Sequence, residues 1–177
     1  MPGGDIESVI MFRYLRVALL VGKIVGRPHT DLHFTLAMFD TEWGTVCIDG
    51  QPTLREAGIK NAKLIRSNFY YNTLPTKIEL EQALEPQTGM EPDEFARRLY
   101  QTAQNFASYI EDYSLPAHLT GSSMNAGEYN SNSYMAGLLH SVMGSIPLLN
   151  LLSEDGTQYQ APGLETPIPD SYFRSTP

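Results

Sequence analysis

Cysteine is nearly missing from this sequence, and basic charge is scarce. The one cysteine, Cys47, excludes an intrachain disulfide framework and a zinc site built from several cysteines, and leaves the redox compartment open. Only 12 Lys and Arg stand against 20 Asp and Glu, a formal net charge of −8 spread without long runs. That balance argues against nucleic acid as a partner, because phosphate binding needs clustered lysine and arginine. A long hydrophobic run is missing too. The stretch that comes nearest, Val9 to Val25, is interrupted by Arg13, Arg16 and Lys23 and preceded by Asp5 and Glu7. A signal peptide needs an unbroken apolar core behind a basic start, and a membrane span needs about 20 apolar residues. The stretch therefore reads as buried structure in a soluble protein, either cytoplasmic or secreted without a recognisable signal peptide.

Several chemical signatures are absent as well. There is no Gly-x-Ser-x-Gly elbow and no Ser-x-x-Lys paired with Lys-Thr-Gly. No glycine-rich phosphate loop or internal repeat occurs, so no cofactor is expected. His29 and His33 flank Asp31, but without the spacing of a helical zinc-binding pair, and no metal site is expected. Cys47 sits between Val46 and Ile48, where a cysteine behaves as a small buried hydrophobe.

What is present suits one folded domain over residues 1–177. The chain is 42% hydrophobic, with ten tyrosines and seven phenylalanines, and is long enough for one proper core. Residues Ser8 to Val25 fit one or two strands, or alternatively a buried helix from Ile10 to Val21. From Leu32 to Phe39 the residues alternate: Leu32, Phe34, Leu36 and Met38 take one face, His33, Thr35 and Ala37 the other. A loop at Asp40 to Gly44 leads into a second strand, on which Thr45, Cys47 and Asp49 share a face. Asn61 to Tyr71 suits a third strand, and Lys77 to Leu84 fits a short strand or a helix. Pro92, with Asp93 and Glu94, opens an amphipathic helix of about 20 residues, its apolar stripe running through Phe95, Leu99 and Phe106 to Tyr113. The tail 158–177 carries Pro162, Pro167, Pro169 and Pro177, and is expected to be extended and to wrap over the domain.

The chemistry concentrates in Gly127 to Leu139. A polar, glycine-bearing loop runs into Asn130, a good helix N-cap, and Met135, Leu138, Leu139 and Val142 then follow at helical spacing. Ser131 falls in the first turn, where unpaired N–H groups and the positive helix end favour a developing anion. This Asn-Ser-Asn-Ser-Tyr start resembles the Asn-Cys-Asn-Ser-Phe type of helix start in circularly permuted NlpC/P60-type, papain-like proteins. In that family a catalytic His on an early strand precedes a late nucleophile, and here His33 is early and Ser131 late. Ser131 stands where the family usually has Cys. The serine is then a native nucleophile, a replacement that traps an inactive form, or the relic of a decayed site.

The resemblance implies an α+β fold, an antiparallel sheet with two main helices in permuted papain-like order. It implies a hydrolase or acyltransferase acting on amide or ester bonds, in a peptide, cell-wall or lipid ester substrate. His33 would draw the proton from Ser131, and Asp49 on the neighbouring strand is a candidate to orient His33. His118 is a second candidate base, ranked lower because proline and glycine flank its loop; His140 lies too far along the Ser131 helix to reach its start. The competing reading is a catalytically inactive binding module, such as an effector or accessory domain, with a protein partner.

Overall fold

A computed structural model describes residues 16–23, 32–52, 65–75, 78, 80–106, 129–147, 149 and 163–174. Five strands, β1 (Arg16–Lys23), β2 (Leu32–Thr41), β3 (Gly44–Pro52), β4 (Ile65–Tyr71) and β5 (Leu80–Leu84), precede two helices, α1 (Pro92–Asn105) and α2 (Ser131–Met143). A short 3-10 helix at Asp170–Phe173 follows. The strands form one sheet in the order β4-β3-β2-β1-β5, and every neighbouring pair is antiparallel. The fold class is α+β. Residues 16–23 are strand, so the helical alternative fails there; β1 is an interior strand of the sheet, between β2 and β5, and its apolar residues are buried on both faces. Residues 80–84 likewise take the strand form, because β1 offers them a full antiparallel ladder from Val17↔Leu84 to Val21↔Leu80.

The period-two pattern on β2 and β3 sorts the side chains onto two faces. Phe34, Leu36, Met38, Val46 and Ile48 join Leu19 and the helices in the main core, where Phe95 and Leu99 of α1 and Tyr134, Met135 and Leu138 of α2 close over them. Each such side chain contributes about 1.5–3 kcal/mol on full burial. The opposite face carries a smaller cluster of Ala18, Leu20, Ala37 and Cys47, with Phe39 and Tyr70 against it. The acids near the start of α1 counter its dipole, Phe95, Ala96, Leu99 and Ala103 form its buried stripe, and Arg98 pairs with Glu94 at 2.8 Å. This helix stops earlier than its sequence pattern predicts. Phe106 adopts an extended backbone and packs edge-on to Tyr134 and against Phe173, while Ser67 Oγ donates to the terminal Ala103 carbonyl at 2.6 Å. Tyr113 of the predicted stripe lies outside the described residues, as do His29, His118 and residues 8–15 and 54–58.

The sheet opens where α2 begins. Between β2 and β3 the ladder reaches only to Leu36↔Ile48, although β1 stays paired to β2 as far as Leu32 and β4 to β3 as far as Pro52. The two central strands thus part like a fork, and the first turn of α2 sits in the opening: Phe34 N–H donates to Asn132 Oδ1 at 3.3 Å. On the β3 side Gly50 makes room, since a Cβ there would stand 2.6 Å from Tyr134 Cβ and Cγ. Of the tail, residues 163–174 pack on α2, with Ile168 and Phe173 buried and Ile168 N–H donating to Ser133 O at 3.0 Å. His140 and Asp170 pair at 2.8 Å across this contact, which holds the Asp170 carboxyl below its ordinary range. No helix among the described residues is long and apolar enough to cross a membrane.

Candidate active site

Asn130 is the N-cap of α2. Its extended backbone (φ −140°, ψ −169°) lets Oδ1 accept from the N–H groups of Asn132 and Ser133 at 2.9 and 3.1 Å. Ser133 completes a capping box, its Oγ accepting from Asn130 N–H at 3.2 Å and donating to the Gly163 carbonyl at 3.0 Å. Gly163 is required in that contact. Its φ is +98°, and a Cβ would fall 2.1 Å from Asn130 Oδ1, the capping oxygen itself. With Asn130 doing the capping, Ser131 Oγ is left out of the helix's own hydrogen bonding. The Ser131 N–H, at the first helical position, also makes no hydrogen bond among the described residues.

Ser131 Oγ instead lies 2.9 Å from His33 Nδ1, and the other ring nitrogen of His33 lies 3.0 Å from Asp49 Oδ2. The three residues singled out from sequence are therefore joined in one line, from β3 through β2 to the head of α2. Ser131 is 5% exposed and Asp49 4%, whereas 27% of the His33 side chain is open to solvent. The ring thus forms the outer edge of the group. His140, bound to Asp170 at the far end of α2, takes no part.

A fourth residue holds the carboxylate. Gln51 Nε2 donates to Asp49 Oδ2 at 2.8 Å, on the same oxygen that His33 Nε2 approaches. Because a carboxylate only accepts, its contact with His33 Nε2 favours the imidazole hydrogen on Nε2, which leaves the Nδ1 lone pair facing the Ser131 hydroxyl, the tautomer of a general base. Asp49 Oδ1 is buried with no partner among the described residues. Burial, followed by the charge of Asp49, raises the pKa of the Tyr70 phenol, whose oxygen accepts from Asn68 Nδ2 at 2.6 Å. Gln51 was not singled out from sequence. Its signal was its place two residues beyond Asp49, on the same face of β3.

Cys47 is no rival nucleophile. Burial and then the nearby Asp49 carboxylate push its thiol from 9.0 up to about 11, which suppresses the reactive thiolate. Alkylation of the native protein by iodoacetamide at pH 8 is expected to run about 100-fold slower than in urea-unfolded protein. Mass spectrometry at a series of times measures this, and equal rates would contradict the burial of Cys47. Among the described residues no cluster of three or more His, Cys, Asp or Glu is placed to hold a metal ion.

A nucleophile-capable hydroxyl, a histidine beside it, a carboxylate behind the histidine, and an N–H next to the hydroxyl that is unpaired among the described residues are together the parts needed for acyl transfer. The sequence matches no protein-family profile, and neither a curated protein nor a solved structure matches it.

Proposed function

We propose that this protein is a hydrolase or acyltransferase of amide or ester bonds that uses Ser131 as its nucleophile. One observation carries the proposal: His33 bridges Ser131 Oγ and Asp49 Oδ2 through its two ring nitrogens, at 2.9 and 3.0 Å. As Oγ attacks the substrate carbonyl carbon, its proton passes to His33 Nδ1, and the imidazolium is stabilised by the Asp49 carboxylate. The negative charge on the carbonyl oxygen is received by the Ser131 N–H at the positive end of α2. Collapse expels the amine or alcohol with the proton from Nδ1. A water molecule, or a second alcohol or amine in transfer, then releases the acyl group by the same steps in reverse.

The order of parts supports kinship with the permuted papain-like proteins: a strand bearing the base, its neighbour bearing the orienting carboxylate, then a late helix with the nucleophile at its head. Peptide, cell-wall peptide and lipid ester are the substrate classes that kinship offers. Serine in the place of the family's cysteine favours a second reading, an inactive domain that binds its former substrate.

A fluorescent fluorophosphonate separates the two. Ser131 Oγ is expected to displace fluoride from phosphorus, leaving wild-type protein labelled on Ser131 and Ser131→Ala unlabelled. Ser131→Cys is expected to exchange this reactivity for labelling by a thiol-directed epoxide. A wild type that resists the phosphonate, with Ser131→Cys alone becoming reactive, would make the serine a decayed cysteine site.

A further inference from the structure

We infer that Asn132 is a positioning residue for the reaction of Ser131, which rests on the hydrolase reading above. The nucleophile and its base come from elements 98 residues apart in the chain, and each lies next to a partner in a second bond. Asn132 follows Ser131, and Phe34 follows His33. The Asn132 Oδ1 accepts the Phe34 N–H at 3.3 Å, so the backbone that bears the base is tied to the helix turn that bears the nucleophile. Asn132 is 1% exposed, and both groups are shielded from competing water.

The choice of residue follows from the fork. The cross-strand ladder of β2 and β3 ends at Leu36↔Ile48, and the Phe34 N–H lies beyond it, buried. A buried N–H must find an acceptor, and the amide oxygen of Asn132 supplies one while holding α2 in the opening. Besides the Ser131–His33 contact itself, Ser133 is bonded to Gly163 and Ile168, and Tyr134 to Ser67 of β4. They fix the helix to the tail and to the far side of the sheet. Asn132 fixes it to the strand of the base. Proton transfer demands a near-ideal approach, and a displacement of about 1 Å lowers rates about 100-fold.

The test compares Asn132→Asp, which keeps the accepting oxygen, with Asn132→Leu, which keeps the shape and loses it. Two readouts are taken on protein with a cooperative unfolding transition: labelling by the fluorophosphonate, split into its maximal rate and its half-saturating concentration, and the 15N resonance of His33 Nδ1. Asn132→Leu is expected to lower the maximal rate about 50-fold with the half-saturating concentration unchanged. Its Nδ1 resonance should move towards that of Ser131→Ala, where the hydroxyl partner is gone. Asn132→Asp should restore most of the rate and the wild-type resonance. If Asn132→Leu does not fold, Asn132→Ser, whose side chain is one atom shorter, replaces it with the same expectations. A wild-type Nδ1 resonance in the leucine or serine variant overturns the inference, as does equal impairment of rate and resonance in the aspartate variant. Failure of the wild type to label would remove the hydrolase reading alone, because the Nδ1 resonances still decide whether Asn132 sets the His33–Ser131 contact.

Discussion

Asn in place of Asp49 is expected to slow acylation of Ser131 by about 10³- to 10⁴-fold, close to the loss caused by His33→Ala. The reason lies in the unequal surroundings of the two carboxylate oxygens. Oδ2 accepts from His33 and from Gln51, and Oδ1 is buried without a partner among the described residues. An asparagine amide must place its NH2 at one of these positions. At the Oδ1 position, which has no hydrogen-bond partner among the described residues, burying the NH2 carries a penalty of about 1–3 kcal/mol. At the Oδ2 position the NH2 donates to His33 Nε2, which forces the imidazole hydrogen onto Nδ1, facing Ser131. Gln51 can follow by turning its own amide over. The second arrangement satisfies more groups, and it removes the base.

Stopped-flow measurement of an activated ester checks this, with Asp49→Asn, His33→Ala and the double variant compared side by side. The double variant should be little slower than either single one, because both remove the same proton acceptor. A loss under about tenfold in Asp49→Asn would mean that the carboxylate does not set the tautomer.

Alanine at Gly50 is expected to cost about 2–3 kcal/mol of stability and to disable the site together with it. The new Cβ would meet Tyr134 Cβ and Cγ at 2.6 Å and Cδ1 at 2.9 Å. These atoms cannot swing aside as the end of a flexible chain would. The Tyr134 hydroxyl is bound to Ser67 Oγ at 2.6 Å, Ser67 donates in turn to Ala103 O, and the ring lies against Phe106 and Phe173. The same complete burial raises the pKa of the phenol. Relief must come from moving α2 away from β3. Alanine's better strand entropy returns only about 0.5–1 kcal/mol.

Urea unfolding reads the first effect as a lower midpoint at unchanged slope. Fluorophosphonate labelling of the folded variant reads the second, since Tyr134 lies one turn beyond Ser131 and the helix moves as a unit. A variant with wild-type midpoint and labelling would show that α2 and β3 are not in direct contact at Gly50.

Local pattern was enough for the parts. The alternation from Leu32 to Phe39 placed Phe34, Leu36 and Met38 on the core face, because a pleated strand has a strict period of two. Asn130 before an apolar helical pattern marked the head of α2, because a side-chain acceptor is needed where N–H groups have no partner in the helix. Pro92 with its following acids marked the start of α1, because proline lacks an N–H that the first turn would leave unpaired and carboxylates favour the positive helix end. The end of α1 was not legible: the stripe continues past Phe106, and what stops the helix is Phe106 turning to Tyr134 and Phe173, residues distant in sequence.

What the sequence by itself determined, then, is the form of the clearly periodic or capped segments and which of their side chains share a face: His33 on β2, Asp49 with Cys47 on β3, Ser131 at the head of α2. Periodicity and capping act over a few residues, so they are written locally. Only the tertiary structure decided that β2 and β3 part beyond Leu36↔Ile48 and that α2 enters there. From that follow the 2.9 Å contact of His33 with Ser131, the tie from Asn132 to Phe34 and the hold of Gln51 on Asp49. These depend on strand register and on a close approach permitted by one absent Cβ at Gly50. Neither leaves a periodic trace, because each is a relation between residues that only the packed core brings together.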